Sequence, residues 1–308
     1  MSTIEKISLI GMGAIGCAYG HKLYDLAPEK LRVIADAERI KRYRKNGFVI
    51  NGKPYDFQYV SPEEKVEPAD LIIMAVKFNQ LQQAISDIRN HVGEKTIILS
   101  LLNGISSEEI IGEAYGMDKI LYALCNGIDA NREGTHVDFS TYGVVVFGEK
   151  TNTEYTPKVR AVKELFERTG IQYKIPENMI RALWFKFMVN VGINQASAVT
   201  RGKYGAFQTS ETARELMKSA MREVIRISVK AGINLNEGDI EYQLGVIEKM
   251  NPQGRTSMLQ DIESGRKTEV DMFSGTVCQL GKKYGVPTPV NQTLYRIIKT
   301  IESTWENE

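Results

Sequence analysis

Lys6-Ile-Ser-Leu-Ile10-Gly11-Met12-Gly13-Ala14-Ile15-Gly16 decides the fold of this chain. A short apolar run that stops at a glycine predicts a strand over Lys6–Ile10, and the residues after the glycines predict a helix over Ala14–Leu26. A Gly-x-Gly-x-x-Gly spacing is weak evidence alone and specific when it joins a strand to a helix. Gly11 allows the tight turn, Gly13 lets the backbone approach a pyrophosphate, and Gly16 lets helix and strand pack closely. The helix start, with Ala14 and Ile15 in its first turn, offers free N–H groups and the positive end of a dipole to the phosphates. The reading is a dinucleotide-binding strand–turn–helix.

The same rhythm continues outward. Leu31–Ala35, Leu71–Val76 and Thr96–Leu102 read as further strands, with Ile120–Ala123 and Gly143–Phe147 as weaker ones and Gln172–Ile175 as the last. Near-continuous apolar runs separated by helices predict a parallel sheet covered on both faces, an α/β doubly wound domain of the Rossmann type. Asp36 ends the second strand about twenty residues past Gly16, where an acid hydrogen-bonds the ribose hydroxyls of NAD and repels the extra phosphate of NADP. Arg39, Lys41 and Arg42 come next and offer phosphate contacts instead, although Lys41–Lys45 reads more simply as a solvated helix face.

Beyond Pro176 the texture is helical. Ile180–Val199, Glu211–Ala231, Ile240–Met250, Val270–Tyr284 and Pro289–Trp305 carry apolar residues at three- and four-residue spacing. The expected division is a dinucleotide-binding domain over 1–176 and an all-α domain over 177–308, with the cleft between domains as the default place for a substrate. In the first of these helices Lys186, Asn190 and Asn194 recur every fourth residue, so an unbroken helix places them on one side within an arc of ~80°. Burying an ammonium and two amides among apolar neighbours is costly without partners, so the stripe suggests a polar cleft wall. Further on, Ser257 stands where a helix begins after Asn251-Pro252. Thr268 reads as an N-cap with Asp271 at the third helical position, a capping box that puts Glu269 in the first turn.

Bulk properties narrow the class. The chain has 308 residues, 43% hydrophobic and 25% charged, with 39 basic and 38 acidic residues and a formal net charge of +1. That balance disfavours a nucleic-acid partner, which calls for a basic excess. Cys17, Cys125 and Cys278 are odd in number and far apart, which suits a reducing compartment. The apolar runs fall short of the ~20 residues of a membrane helix. Met1-Ser2-Thr3-Ile4-Glu5-Lys6 leads into a strand rather than a signal sequence. The expected location is the cytoplasm. His21, His91 and His136 are scattered, so no metal site is expected. Amphipathic C-terminal helices are compatible with a homodimer, and the sequence does not fix the oligomeric state.

Several separated motifs in order resemble the ketopantoate reductase (2-dehydropantoate 2-reductase) family over essentially the whole chain. They are Gly11–Gly16, Val76-Lys77, Asn103-Gly104, Leu183-Trp184-Phe-Lys186 with Asn190 and Asn194, and Ser257-Met-Leu-Gln-Asp261 through Thr268-Glu269-Val-Asp271. The resemblance implies a Rossmann domain followed by a helical domain, and reduction of ketopantoate to pantoate in pantothenate and coenzyme A synthesis. It implies Lys186 as the general acid, Glu269 assisting at the substrate hydroxyl and the lysine, and Asn190, Asn194 and Ser257 holding the substrate. Lys77 and Asn103 would touch the ribose and nicotinamide side of the cofactor. The chemistry agrees: hydride addition leaves charge on oxygen, which a nearby ammonium stabilises and protonates. NADP(H) is the family default, and Asp36 keeps NAD(H) open, because NADPH-using members commonly carry an arginine there. Thr200-Arg201-Gly-Lys-Tyr204-Gly205 lacks an asparagine that many members use, with Tyr204 or Arg201 as replacements. Both departures lean toward the alternative, an NAD-dependent 2-hydroxyacid dehydrogenase acting on another 2-oxo acid.

Overall fold

The computed structural model describes residues 3–305, so Met1 and Ser2 of the leading segment and the last three residues of the helical half lie outside the described residues. Contacts divide the chain into two compact units, Met1–Ile180 and Arg181–Glu308, a boundary slightly beyond the expected one.

The first unit holds strands β1 (Ile7–Ile10), β2 (Leu31–Ile34), β3 (Phe48–Ile50), β4 (Lys53–Tyr55), β5 (Gln58–Val60), β6 (Leu71–Met74), β7 (Ile97–Ser100), β8 (Ile120–Glu133), β9 (His136–Gly148) and β10 (Tyr173–Lys174). They form one ten-stranded sheet in the order β4-β3-β9-β8-β7-β6-β1-β2-β5, with β10 on β9. From β5 to the start of β8 every neighbour is parallel. Alternate residues of the central strands serve different cores, which is why these strands read as unbroken apolar runs. Ile7, Leu9, Leu71 and Ile73 face the core that includes Cys17 of α1 (Ala14–Leu26) and Phe166. Ile10, Ile72, Met74 and Ile98 face the core that includes Leu81 and Ile111.

Two differences from the sequence reading matter. The weak strands at Ile120 and Gly143 are ends of a long antiparallel ribbon, β8–β9, closed by a turn at Gly134 (φ 61°). Strands β3 to β5 were not expected. Asn51 (φ 46°) and Gly52 (φ 75°) join β3 to β4 as a two-residue hairpin loop with both residues left-handed, a form that Asn-Gly favours. The helix α2 (Ala37–Asn46) does present Lys41, Arg42, Arg44 and Lys45 to solvent.

Among its described residues the second unit is entirely helical. The expected helix over Ile180–Val199 is three pieces: Met179–Val189, a π turn over Asn190–Asn194, and Gln195–Thr200. The expected helix from Val270 also opens with a π turn, Asp271–Gly275, before Thr276–Tyr284. A helix over Glu211–Lys230 packs on the first π turn. There a Cβ on Gly192 would stand 2.5 Å from Met221 Cγ, so the fit depends on glycine. Shorter helices run over Tyr204–Thr209, Glu237–Ile247 and Ser257–Glu263, and Pro289–Thr304 closes the unit.

Candidate active site

In the first unit, β2, β1, β6 and β7 lie parallel and in register, Ile34 beside Ile10, Ile10 beside Met74 and Met74 beside Ser100. Asp36, Gly11, Lys77 and Asn103 therefore leave the sheet at one carboxyl edge, where open α/β sheets bind ligands. Gly11 has φ 98°, and a Cβ there would stand 2.5 Å from Ala75 O; one on Gly16 would stand 1.9 Å from Gly11 O. A side chain at either position would collide with backbone and force the strand–turn–helix apart. Gly13 is the N-cap of α1, with no side-chain cap and no acid in the first turn, so the N–H groups at this helix start remain available. By contrast α2 is capped by Asp36 and the helix Pro157–Thr169 by Thr156. This edge fits the diphosphate of a dinucleotide.

Asp36 has a task that the sequence reading did not give it. One carboxylate oxygen accepts from Arg39 N at 2.7 Å, capping α2, and the other lies 3.4 Å from Arg39 Nε. Lys77 is exposed just after β6, and Asn103 is half-buried beside Gly104 (φ 102°). Arg132 was missed. The β8–β9 ribbon brings it to the glycine loop, where its Nη1 would lie 3.7 Å from a Cβ on Gly13, while its Nε donates to Gly134 O at 2.9 Å. Cys17, one turn into α1, is no nucleophile: burial pushes its thiol up to about 12.

In the second unit the π turn Asn190–Asn194 packs against both the helix that opens with Ser257 and the π turn just after Glu269. Lys186 and Asn190 are half-buried, Asn194 is buried, Ser257 is exposed and Glu269 is half-buried. A π turn inserts about one residue and rotates the downstream helix by up to roughly 100°, so Asn194 does not simply extend the straight stripe. Thr256 caps the Ser257 helix by accepting from Leu259 N at 3.1 Å.

The capping box expected at Thr268 does not form. Thr268 Oγ1 accepts from Val270 N and donates to Glu302, whose carboxylate also takes Thr268 N. The Asp271 carboxylate instead accepts from Tyr295 Oη at 2.7 Å and Lys299 Nζ at 3.3 Å. The segment holding Glu269 is thus pinned on both sides by the C-terminal helix. Arg201 takes a left-handed conformation (φ 53°) after the helix Gln195–Thr200, and Tyr204 N donates to Gly254 O at 3.1 Å. No group of three or more His, Cys, Asp or Glu that could hold a metal occurs among the described residues, and no described helix is long and apolar enough to cross a membrane.

Known proteins share the sequence pattern and fold of this chain. Residues 7–152 match the family description "Ketopantoate reductase PanE/ApbA", and residues 178–302 match "Ketopantoate reductase PanE/ApbA C terminal". The 2-dehydropantoate 2-reductase of Pyrococcus horikoshii is 30% identical over 97% of this chain and 98% of its own. That of Aquifex aeolicus is 27% identical over 97% of each. Among solved structures, D-mandelate dehydrogenase with NADH and anilino(oxo)acetate superposes with a TM-score of 0.87 at 25% identity, over 98% of this chain and 99% of that one. A PanE/ApbA family ketopantoate reductase from Ralstonia eutropha JMP134 shares the fold, with a TM-score of 0.83 at 23% identity over 98% and 99%. This chain belongs to the ketopantoate reductase family of NAD(P)H-dependent oxidoreductases.

Proposed function

We propose that this protein reduces a small 2-oxo acid to the 2-hydroxy acid, with ketopantoate giving pantoate as the leading reading. The observation that carries it is the full-length kinship to a 2-dehydropantoate 2-reductase at 30% identity, with Lys186 and Glu269 standing in the matched helical half. The nicotinamide, when bound, supplies the hydride. Gly11, Gly13, Ala14, Ile15 and Gly16 hold the diphosphate through backbone N–H groups, with the Arg132 guanidinium beside it. Lys77 and Asn103 meet the ribose and nicotinamide side. Lys186 donates its proton to the oxygen of the keto group as charge develops there, and Glu269 holds the substrate hydroxyl and keeps the lysine charged. Asn190, Asn194 and Ser257 orient the carboxylate and hydroxyl groups.

A second reading, an NAD-dependent 2-hydroxyacid dehydrogenase, draws on two observations. Asp36 stands at the end of β2, and the D-mandelate dehydrogenase likeness spans nearly the whole chain. Initial rates crossing NADPH and NADH with ketopantoate, 2-oxoisovalerate and phenylpyruvate separate the two. The leading reading expects the highest kcat/KM for ketopantoate with NADPH. A preference for NADH with another 2-oxo acid moves the protein to the second, and no turnover of any 2-oxo acid sinks both.

A further inference from the structure

We propose that Gln195 is a positioning residue that staples the turn following Lys186 to the turn following Glu269. An α-helix pairs each N–H with the carbonyl four residues back, and a π turn breaks that ladder, leaving groups to be met elsewhere. In the turn after Glu269, Val270 O accepts from Gly275 N at 3.0 Å, and Ser274 N donates to Gln195 Oε1 at 3.2 Å. In the turn after Lys186, Val191 O accepts from Gln195 Nε2 at 2.7 Å. One amide, fully buried, serves a donor in one π turn and an acceptor in the other.

The staple is itself held. Gln195 Nε2 also donates to Asn291 Oδ1 at 3.2 Å, an oxygen that accepts from Ser274 Oγ at 3.0 Å as well. Asn291 Nδ2 donates to Ala220 O at 3.2 Å and to Glu223 at 2.7 Å. The buried Glu223 carboxylate accepts from Val290 N at 2.8 Å and Asn291 N at 3.0 Å, so its charge rests on the start of the Pro289 helix. Each polar group of Gln195 has a partner, and its amide carries donor and acceptor together without needing a proton from solution. The consequence is a fixed distance between the two segments that carry Lys186 and Glu269.

This inference rests on the proposed roles of those two residues, so the test includes a readout independent of turnover. In Gln195→Leu, kcat for the 2-oxo acid should fall by about 10- to 100-fold, the scale of a small misplacement of reacting groups. KM and dinucleotide affinity, read by cofactor fluorescence, should change by less than about threefold, the pattern of an interaction lost in the transition state alone. Amide hydrogen exchange in 190–195 and 270–275 should accelerate together. Gln195→Glu gives a sharper signature and guards against misfolding of the leucine variant. Its neutral carboxyl can still donate to Val191 O and accept from Ser274 N, whereas its carboxylate cannot donate. The ratio of its kcat to wild type should therefore be highest at low pH and fall as pH rises, with the folded fraction constant by circular dichroism. A pH-independent ratio, or unchanged exchange in both segments of a folded variant, overturns the staple while leaving the reductase reading intact. Wild-type protein that reduces no 2-oxo acid removes the functional reading, and with it the catalytic purpose of Gln195.

Discussion

The proposed cofactor edge and the proposed catalytic groups are built from opposite materials. At the carboxyl edge of the first unit the proposed surface is backbone: a turn that needs glycine at Gly11 and Gly16, and a helix start with no side-chain cap. In the second unit the proposed groups are side chains, Lys186, Asn190, Asn194 and Glu269, on or beside helical segments that two π turns interrupt. A backbone site tolerates few residue types and leaves a fixed spacing in the sequence. A side-chain site depends on packing several elements apart, and its spacing says less.

The largest effect should come from removing one side chain of the second kind. Lys186→Ala is expected to lower kcat by roughly 10²–10⁴-fold, the usual consequence of losing a general acid. Thermal stability and dinucleotide affinity should stay near wild type, since Lys186 is half-buried and the glycine loop belongs to the other unit. Near-normal turnover in a folded variant would end the assignment.

The first unit also contains a buried carboxyl. Glu108 is 2% exposed; its oxygens accept from Ser107 Oγ at 2.9 Å and Ala123 N at 3.3 Å. Burial raises its carboxyl from the ordinary 4.5 to about 7. The folded state thus binds the proton more tightly than the unfolded chain. The stability that this proton confers is complete below pH 4.5 and is lost as pH rises through 7. At ~1.4 kcal/mol per unit the loss amounts to about 3 kcal/mol at most. Glu108→Gln needs no proton and should flatten this slope, becoming the more stable protein at pH 8. Urea midpoints between pH 4.5 and 8.5 measure it, and parallel curves for the two proteins would show that Glu108 titrates normally.

The same contrast explains what the sequence disclosed. The helix Ala14–Leu26 matches its expected bounds to the residue, because glycine spacing and a capless start are local properties. The strands β1, β6 and β7 were legible since both faces are buried, so composition alone marks them. Strands β3 and β4 carried a local signal in Asn51-Gly52, but three-residue strands give periodicity too little length to register. The ribbon was shortened for a related reason: beyond Cys125 it is largely solvent-exposed and polar, although Val137 and Phe139 alternate with exposed neighbours as a half-buried strand should. Arg132 therefore went unseen, since only the far end of the ribbon, on the polar stretch of β8, carries it to Gly13. The π turns were not legible at all. The apolar period through Asn190–Asn194 stays helical by eye, and the extra residue shows only once Gln195, Ser274 and Asn291 are found bonded to one another.

The smallest predicted effect tests whether a side chain can share work with the backbone edge. Asp36 caps α2 by accepting from Arg39 N at 2.7 Å, and it also stands where an acid would meet a ribose. The two roles predict different responses. Asp36→Ser retains a capping oxygen and loses the charge, so stability should hold within a few tenths of a kcal/mol. If the carboxylate repels a 2′-phosphate, the same variant should raise kcat/KM for NADPH relative to NADH by several-fold. Asp36→Ala loses cap and charge together, and should show the same cofactor shift with about 1 kcal/mol of lost stability. Should Asp36→Ser leave the NADPH/NADH ratio untouched while Asp36→Ala lowers stability, the acid is a helix cap and nothing more. The cofactor edge of the first unit would then owe its selectivity to other groups, with the Arg132 guanidinium beside Gly13 the next to test.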